Sequence, residues 1–209
     1  MGTELKLRAY VYIDSMQSSY AGFVGSTIRG DTPVQGMAEL YIEVAPGIEV
    51  FRTIDVALKA AEVRPSSLVV EREFGMLEIH GWEQSAVLTA GKAVLDYLGL
   101  DEADRQKPQV VTAQIISNVD PYEAQLINRF KKGSMMLGGK ALYIMEIFPA
   151  AYAVLAANEA EKAVAIDIVH ITNVGRFGRV FISGTEADVM AAKEASIQAI
   201  DNVSGKEAS

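Results

Sequence analysis

The chain of 209 residues is half hydrophobic and contains no cysteine, so it can bury a sizeable core but has no disulfides and no thiol chemistry. Its formal net charge of −8 argues against a nucleic-acid-binding surface, because phosphate recognition needs clustered lysine and arginine. The two histidines, His80 and His170, supply too few partners for a zinc site or a catalytic triad.

The first half of the chain predicts alternating strands and helices. The pattern changes between the two-residue period of a strand and the longer period of an amphipathic helix. In chain order we expect a strand (7–14), a helix (18–28), a strand (38–45), a helix (48–62), two strands (67–72 and 75–81) and a helix (83–99). Pro46 opens the second helix and Gly99 ends the third, as these residue types commonly do.

The second half predicts the same elements in the same order, after a polar linker at 101–108. They are a strand (110–117), a helix (122–133), a strand (140–147), a helix (150–164), two strands (165–171 and 178–184) and a helix (186–200).

The most apolar run, 141–157, is interrupted by Glu146 and Pro149 and is too short to span a membrane. The start of the chain lacks the pattern of a signal peptide. We therefore expect no membrane association.

An offset of 103 positions relates the two halves, and it slips to 102 where Leu40-Tyr41-Ile42 matches Leu142-Tyr143-Ile144. Pro46 and Pro149 differ by 103 positions, as do Gly75 and Gly178. Such self-similarity indicates two tandem copies of one fold. We predict domains at 1–103 and 104–209, each of the α+β class, with helices covering a largely antiparallel sheet.

The stretch VVEREFG, residues 69–75, places consecutive charges at the end of a predicted strand. Successive strand side chains point to opposite faces, and an unpaired charge is costly to bury. These charges therefore need a special location or a solvated turn.

Other motifs give little support for catalysis. The sequence GSMMLGGK (133–140) approaches a phosphate-binding loop, but its lysine falls one position late and is followed by alanine, so a turn is the better interpretation. His80 is interpreted as an ordinary half-buried histidine, and Asp120 before Pro121 as a helix N-cap. We therefore predict that the chain is not an enzyme.

The segment from Pro46 to Gly99 resembles the bacterial microcompartment shell domain, in which a helix ending in Lys-Ala-Ala precedes a strand, a glycine-bearing loop, a strand and a helix. Lys59-Ala60-Ala61 matches that signature, and Lys162-Ala163-Val164 is a looser copy. The strand and helix that begin each copy stand where common members have them at the C-terminus. The chain is thus similar to the circularly permuted tandem subfamily over about residues 5–202.

The resemblance implies a structural protein of the shell of a cytoplasmic microcompartment. Three chains would form a homotrimer whose six domains make a flat pseudohexagonal tile around a central pore, and two trimers could stack face to face. The partners would be other shell proteins at the tile edges and small metabolites in the pore. No cofactor or metal and no nucleic acid or membrane partner is implied.

The resemblance also assigns candidate residues. Lys59 and Lys162 would lie at the tile edge. The loop after the next strand would line the pore, and it comprises Glu71, Arg72, Glu73, Phe74 and Gly75 in the first copy and Asn173, Val174, Gly175 and Arg176 in the second.

Ordinary shell domains carry a small pore loop, whereas the first-copy loop here is bulky and charged. This difference favours a gated pore. Glu71 and Arg72 could pair between subunits around a threefold axis, with Phe74 anchoring the loop and Gly75 giving it freedom. The simpler interpretation is a surface turn with solvated charges.

Two other function classes remain open at this point. Compact α+β repeat domains can form trimeric small-ligand sensors or regulators, with clefts between subunits. An enzyme site could also be built only at subunit interfaces, although the lack of paired titratable motifs argues against it.

Overall fold

A computed structural model describes residues 5–207 of the chain. The strands are β1 (Lys6–Ile13), β2 (Ala38–Ala45), β3 (Arg64–Glu71), β4 (Phe74–Gly81), β5 (Gln109–Ile116), β6 (Ala141–Phe148), β7 (Asp167–Thr172) and β8 (Gly178–Gly184). The helices are α1 (Ser18–Thr27), α2 (Val50–Ala60), α3 (Gln84–Leu98), α4 (Pro121–Phe130), α5 (Ala153–Ala163) and α6 (Glu186–Asp201).

The strands form two four-stranded antiparallel sheets with the same topology. Their orders are β1-β2-β4-β3 and β5-β6-β8-β7. The predicted α+β class and the repeated element order are confirmed, and each half contributes one sheet and three helices among the described residues.

The chain divides into two compact units. Unit 1 contains residues 5–16, 28–107 and 203–207, and unit 2 contains 17–27 and 108–202. The helix α1, which the repeat places in the first copy, therefore belongs to unit 2.

The core of unit 1 lies between its sheet and helices α2 and α3. Leu40 and Ile42 of β2 and Leu77 and Ile79 of β4 point to this side and are fully buried. Each such side chain contributes about 2 kcal/mol of transfer free energy. Gly91 lets α3 approach closely, because a Cβ there would lie 2.2 Å from the Tyr10 hydroxyl.

The opposite face of the unit 1 sheet is also buried but carries charge. Glu39 and Glu43 alternate with the core residues of β2, and Glu78 and His80 alternate with those of β4. Buried ionisable side chains are costly unless they are paired. Arg8 pairs with Glu43 at 2.5 Å between Nε and Oε1.

In unit 2, helices α5 and α6 pack on the sheet and against each other. Tyr143 of β6 and Ser196 of α6 are joined by a hydrogen bond of 2.9 Å between their buried hydroxyls. The small apolar side chains of α5 are covered by α6 and α1. This cover lies within the unit, so α5 does not itself require a second chain.

Both units have a tight backbone contact at the start of the fourth strand in chain order, which is β4 in unit 1 and β8 in unit 2. A Cβ on Gly75 would lie 2.1 Å from the Gly47 carbonyl oxygen, and one on Gly178 would lie 2.3 Å from the Ala150 oxygen. Gly75 lies within β4, where it pairs with Val44. Glycine is needed at position 75 because any side chain would collide with the Gly47 backbone. Gly75 therefore permits close packing, and it does not provide the loop freedom that we expected.

The predicted linker is ordered and binds the C-terminal segment. Gln106 and Lys206 form a parallel bridge, and Arg105 Nε donates to the Ser204 carbonyl at 2.8 Å. Across residues 5–207, no helix is long and apolar enough to cross a membrane.

Candidate functional site

The charged stretch of the first copy forms a tight turn between β3 and β4. Glu71 pairs with Phe74 across the ladder, so Arg72 and Glu73 make a two-residue turn. Arg72 Nε lies 3.6 Å from Glu71 Oε1, and both side chains are exposed. An exposed ion pair of this length contributes little stability, so these charges are available to other partners.

Arg72 occupies the left-handed backbone region, with φ of 54°. A residue with a Cβ pays about 1–2 kcal/mol for this conformation. The corresponding residue of the second copy, 103 positions later, is Gly175, with φ of 103°. The same turn position thus has glycine in one copy and an unfavourable arginine in the other. We therefore keep Arg72 as a candidate functional residue.

The second-copy turn is more open. The pairing of β7 with β8 ends at Thr172 and Arg179, so Asn173, Val174, Gly175 and Arg176 lie outside the ladder. The Arg176 guanidinium lies 5.3 Å from the centre of the Phe177 ring. This turn therefore presents a cation and small groups where the first copy presents three charges.

The base of the first turn is fixed by residues that the sequence analysis did not single out. The Arg8 guanidinium lies 3.5 Å above the centre of the Phe74 ring. Arg8 is also paired with Glu43. Burial raises the pKa of Glu43, although the positive charge of Arg8 opposes that shift. A charged residue within the apolar strand LRAYVYI was the available signal. These contacts pack Phe74 at the base of the turn, and its role as an anchor stays a prediction.

The two candidate edge lysines differ in environment. Lys59, in the last turn of α2, pairs with Asp55 at 2.7 Å, and its side chain is 74% exposed. Lys162 pairs with Glu159 at 2.8 Å, and its side chain is only 28% exposed. Lys59 is thus the better placed of the two for an external contact.

His80 is fully buried rather than half-buried, and it bridges two carboxylates. Its Nδ1 lies 2.9 Å from Glu78 Oε1 and its Nε2 lies 3.1 Å from Asp31 Oδ1. Glu78 also accepts the Ser66 backbone N–H at 2.7 Å. Two acceptors favour the doubly protonated ring, since each ring nitrogen can then donate.

Burial alone would lower the pKa of His80, but hydrogen bonds and charge from Glu78 and Asp31 outweigh it, so the pKa is raised. The hydrogen bond from His80 is the main cause of the lowered pKa of Asp31. The His80 cluster, which we define as Asp31, Glu78 and His80, therefore ties the loop after α1 to the sheet of unit 1.

A cavity of about 580 Å³ opens beside the His80 cluster. Arg64, Glu62 and the largely exposed Trp82 are among its lining residues. Its walls mix both charges with an aromatic ring. No sequence motif indicated this cavity, because its residues come from segments that only the fold brings together.

Comparison with known proteins identifies the family. Residues 7–104 match the sequence model of the family described as CsoS1D N-terminal domain. The carboxysome shell protein CcmP of Synechococcus elongatus is 49% identical over 207 residues, which cover 99% of this chain and 96% of that protein. This chain belongs to the microcompartment shell protein family.

Two solved structures of microcompartment shell proteins share the fold over nearly the whole chain. The fused permuted hexameric shell protein MSM0275 from the RMM microcompartment is 47% identical, with a TM-score of 0.92, and covers 94% of this chain and 96% of its own. The double ringed trimeric shell protein MSM0271 from the same compartment is 33% identical, with a TM-score of 0.94, and covers 98% and 100%.

These relatives confirm the predicted tandem, circularly permuted shell fold. They also confirm a structural rather than an enzymatic function, because the relatives are shell proteins. The roles of the two turns and of Lys59 and Lys162 stay predictions for this shell protein.

Proposed function

We propose that this shell protein forms a homotrimeric tile with a gated pore on its threefold axis. Two copies of one shell fold in each chain give six domains in three chains, which suits a pseudohexagonal ring. The permuted hexameric and the trimeric relatives support this assembly. Small metabolites would cross the pore between the two sides of the shell.

The observation that carries the gate is the backbone of Arg72. Its positive φ has a free-energy cost that glycine avoids at the same position of the second copy. On a threefold axis, Arg72 of one chain can meet Glu71 of the next chain. The turn then holds its charges where each has an opposite partner.

The energies allow such a ring to switch. Two opposite charges about 4 Å apart interact by roughly 4 kcal/mol at an effective dielectric constant near 20. Desolvation of the charges offsets most of that gain. In the closed ring Glu71 pairs with the next chain, and in the open ring it pairs within its own chain. The free energies of the two rings then differ by a few kcal/mol. A metabolite that binds one ring more tightly than the other can supply this difference.

The outer edge of the tile would contact neighbouring shell proteins. Lys59 is exposed at the end of α2 and is paired with its helical neighbour Asp55. An exposed pair four residues apart contributes only about 0.3–0.5 kcal/mol, so the lysine can exchange this partner. We propose Lys59 as the principal edge contact and Lys162 as a secondary one.

Stacking of two trimers face to face is the second part of the proposal. The double ringed relative, with which this chain shares 33% identity, supports it. A stacked pair would enclose a chamber with one Glu71–Arg72 gate at each end.

The gate is tested by structures of charge variants beside the parent trimer. Glu71→Ala leaves Arg72 without its partner in the ring and should open the pore, and Glu71→Ala/Arg72→Ala should give a permanently wider pore with the fold intact. Lys6→Ala, an exposed charge at the start of β1, is the control and should leave the pore unchanged. Turns that lie on the outer rim of the ring, far from the axis, would refute the gate.

A further inference from the structure

The helix α1 is held in unit 2 by backbone hydrogen bonds to one carboxylate. The N–H groups of Ser19 and Tyr20 donate to Glu161 Oε1 and Oε2 of α5 at 2.7 and 2.8 Å. The first N–H groups of a helix have no partner within the helix. Glu161 thus acts as an external cap for α1, and its charge suits the positive end of the helix dipole.

The apolar side of α1 completes this contact. Tyr20, Phe23 and Val24 are buried, and the Phe23 ring lies 5.9 Å from the ring of His170. We call α1 the donor helix and the surface of α5 and β7 that it covers the receptor surface. In unit 2 these two surfaces cover each other.

The second copy has the same helix, α4, which buries Ala124 and Ile127 in the core of unit 2 but leaves a second apolar stripe uncovered. Leu126 stands at the position of Phe23, 103 residues later. Tyr122 and Leu126 are 80% and 62% exposed, and Phe130 continues the stripe one turn further. Residues four positions apart lie on one face of a helix, so α4 presents an apolar stripe to its surroundings.

Unit 1 has the matching receptor surface, and it is uncovered too. Phe51 and Leu58 of α2 correspond to Val154 and Glu161 of α5. Val154 is buried, whereas Phe51 and Leu58 are 53% and 42% exposed. Each chain thus has one occupied donor–receptor pair, one open donor helix and one open receptor surface. Head-to-tail contacts of this kind close into a ring when the rotation from one chain to the next is that of a closed symmetry, such as a threefold axis.

The uncovered helix α4 and the uncovered surface of unit 1 differ from the covered pair in complementary ways. Leu58 replaces the carboxylate of Glu161, so the receptor of unit 1 offers no acceptor to helix N–H groups. The helix α4 depends less on an outside acceptor, because Asp120 accepts its own Tyr122 N–H at 2.8 Å and Pro121 has no N–H. The first two residues of α4 therefore leave no free backbone donor, whereas α1 uses Glu161 as its acceptor.

We infer that α4 of one chain docks on α2 and β3 of unit 1 in the next chain, and that Leu58 and Asp120 fix this pairing. The inference rests on the ring of the proposed function and names the surfaces that close it. The opposite pairing is disfavoured on both sides. Leu58 would leave the N–H groups of α1 unsatisfied, and Glu161 would face the carboxylate of Asp120, since like charges across an interface repel.

The test exchanges the chemistry of the two pairs. Leu58→Glu places a carboxylate opposite Asp120, and Asp120→Gln/Glu123→Tyr gives α4 the residues that α1 has at 17 and 20. Each change alone should raise the dissociation constant of the trimer at least tenfold, which corresponds to about 1.4 kcal/mol. The combined variant should return to within about threefold of the parent, as expected for directly coupled residues.

The measurement is mass against concentration by light scattering, with the fold of each variant checked by circular dichroism. Leu88→Glu is the matched control, because Leu88 is equally exposed on the adjacent helix α3. If Leu58→Glu dissociates no more than Leu88→Glu, or if the combined variant shows no recovery, the inference is wrong while the shell tile stands. A parent protein that is monomeric at micromolar concentration overturns the proposed function itself.

Discussion

Arg72 and His80 show how single residues depart from what their sequence context suggests. The pattern VVEREFG indicated an unusual turn, but the positive φ of Arg72 could not be predicted, because backbone conformation in a two-residue turn depends on the register of the hairpin. His80 was expected to be an ordinary half-buried residue. Its partner Asp31 lies 49 positions away, so no local pattern could reveal the cluster.

Replacing Arg72 should separate backbone cost from side-chain function. The Arg72→Gly variant should be more stable than the Arg72→Ala variant by about 1 kcal/mol of unfolding free energy. The reason is that glycine adopts the left-handed backbone conformation without the cost that a Cβ atom imposes. Urea denaturation measures the difference. At Glu73, which has no positive φ, the glycine variant should be the less stable of the pair by about 0.5–1 kcal/mol. Equal stability of the two Arg72 variants would show that the turn is not strained.

The His80 cluster predicts a stability that falls at alkaline pH. Because the pKa of His80 is raised by folding, its contribution is complete below its unfolded pKa near 6.5 and is lost as pH rises through the higher folded pKa. The groups that face it are Glu78, Asp31 and its two ladder partners, Glu39 on β2 and Arg64 on β3, of which Arg64 also pairs with Asp31. His80→Gln should remove the decline in unfolding free energy above pH 6.5.

His170 provides the control, because burial lowers its pKa. Its contribution has the opposite sign, so stability should fall as pH drops below about 6.5, where the unfolded chain takes up a proton. His170→Gln should flatten this acid limb alone. An alkaline decline that survives in His80→Gln would assign it to another group.

At the scale of elements, hydrophobic period and turn residues predicted each strand and helix among the described residues to within a few positions. The repeat also predicted that both sheets share one topology. The sequence did not reveal that α1 belongs to unit 2. An amphipathic pattern shows that a helix buries one face, but it does not show which surface covers it. Nothing in the local sequence marks Glu161 as a cap, because the amides that it binds lie more than 140 positions away.

Removing the external cap should loosen α1 selectively. Glu161→Ala deprives the Ser19 and Tyr20 N–H groups of their acceptor, at a cost of about 1–2 kcal/mol. Hydrogen exchange should accelerate at these two amides. Glu159→Ala removes the ion pair to Lys162 and a hydrogen bond of 3.3 Å from Asn158 but no contact to these amides, and it should leave them protected. Unchanged exchange in Glu161→Ala would contradict the capping role.

At the scale of the whole molecule, the element order, the recurring Lys-Ala-Ala signature and the lack of catalytic motifs together predicted a shell protein, which the relatives confirm. The surfaces between chains were not predictable in the same way. The exposed stripe of α4 and the exposed Phe51 and Leu58 become visible only when burial is compared between the two copies.

Lateral assembly gives a prediction at this scale. Lys59→Ala should leave the mass of the trimer and its melting temperature within error of the parent, since the lysine's pair with Asp55 is exposed. The same variant should abolish the sheets seen by electron microscopy. Lys92→Ala, which breaks a similar exposed pair with Asp96 on α3, is the control. Sheets that form as readily from Lys59→Ala would move the edge to Lys162.

The central claim is that three chains close into a ring whose axis is lined by the Glu71–Arg72 turns. A cryo-electron microscopy reconstruction of the purified full chain tests it most directly. We expect a single or double ring of three chains with the β3–β4 turns of all three at the axis, Arg72 within about 4 Å of a neighbouring Glu71 in the closed state, and α4 packed on Phe51 and Leu58 of the next chain. Isolated monomers, or rings in which these turns point to the outer rim, would contradict it.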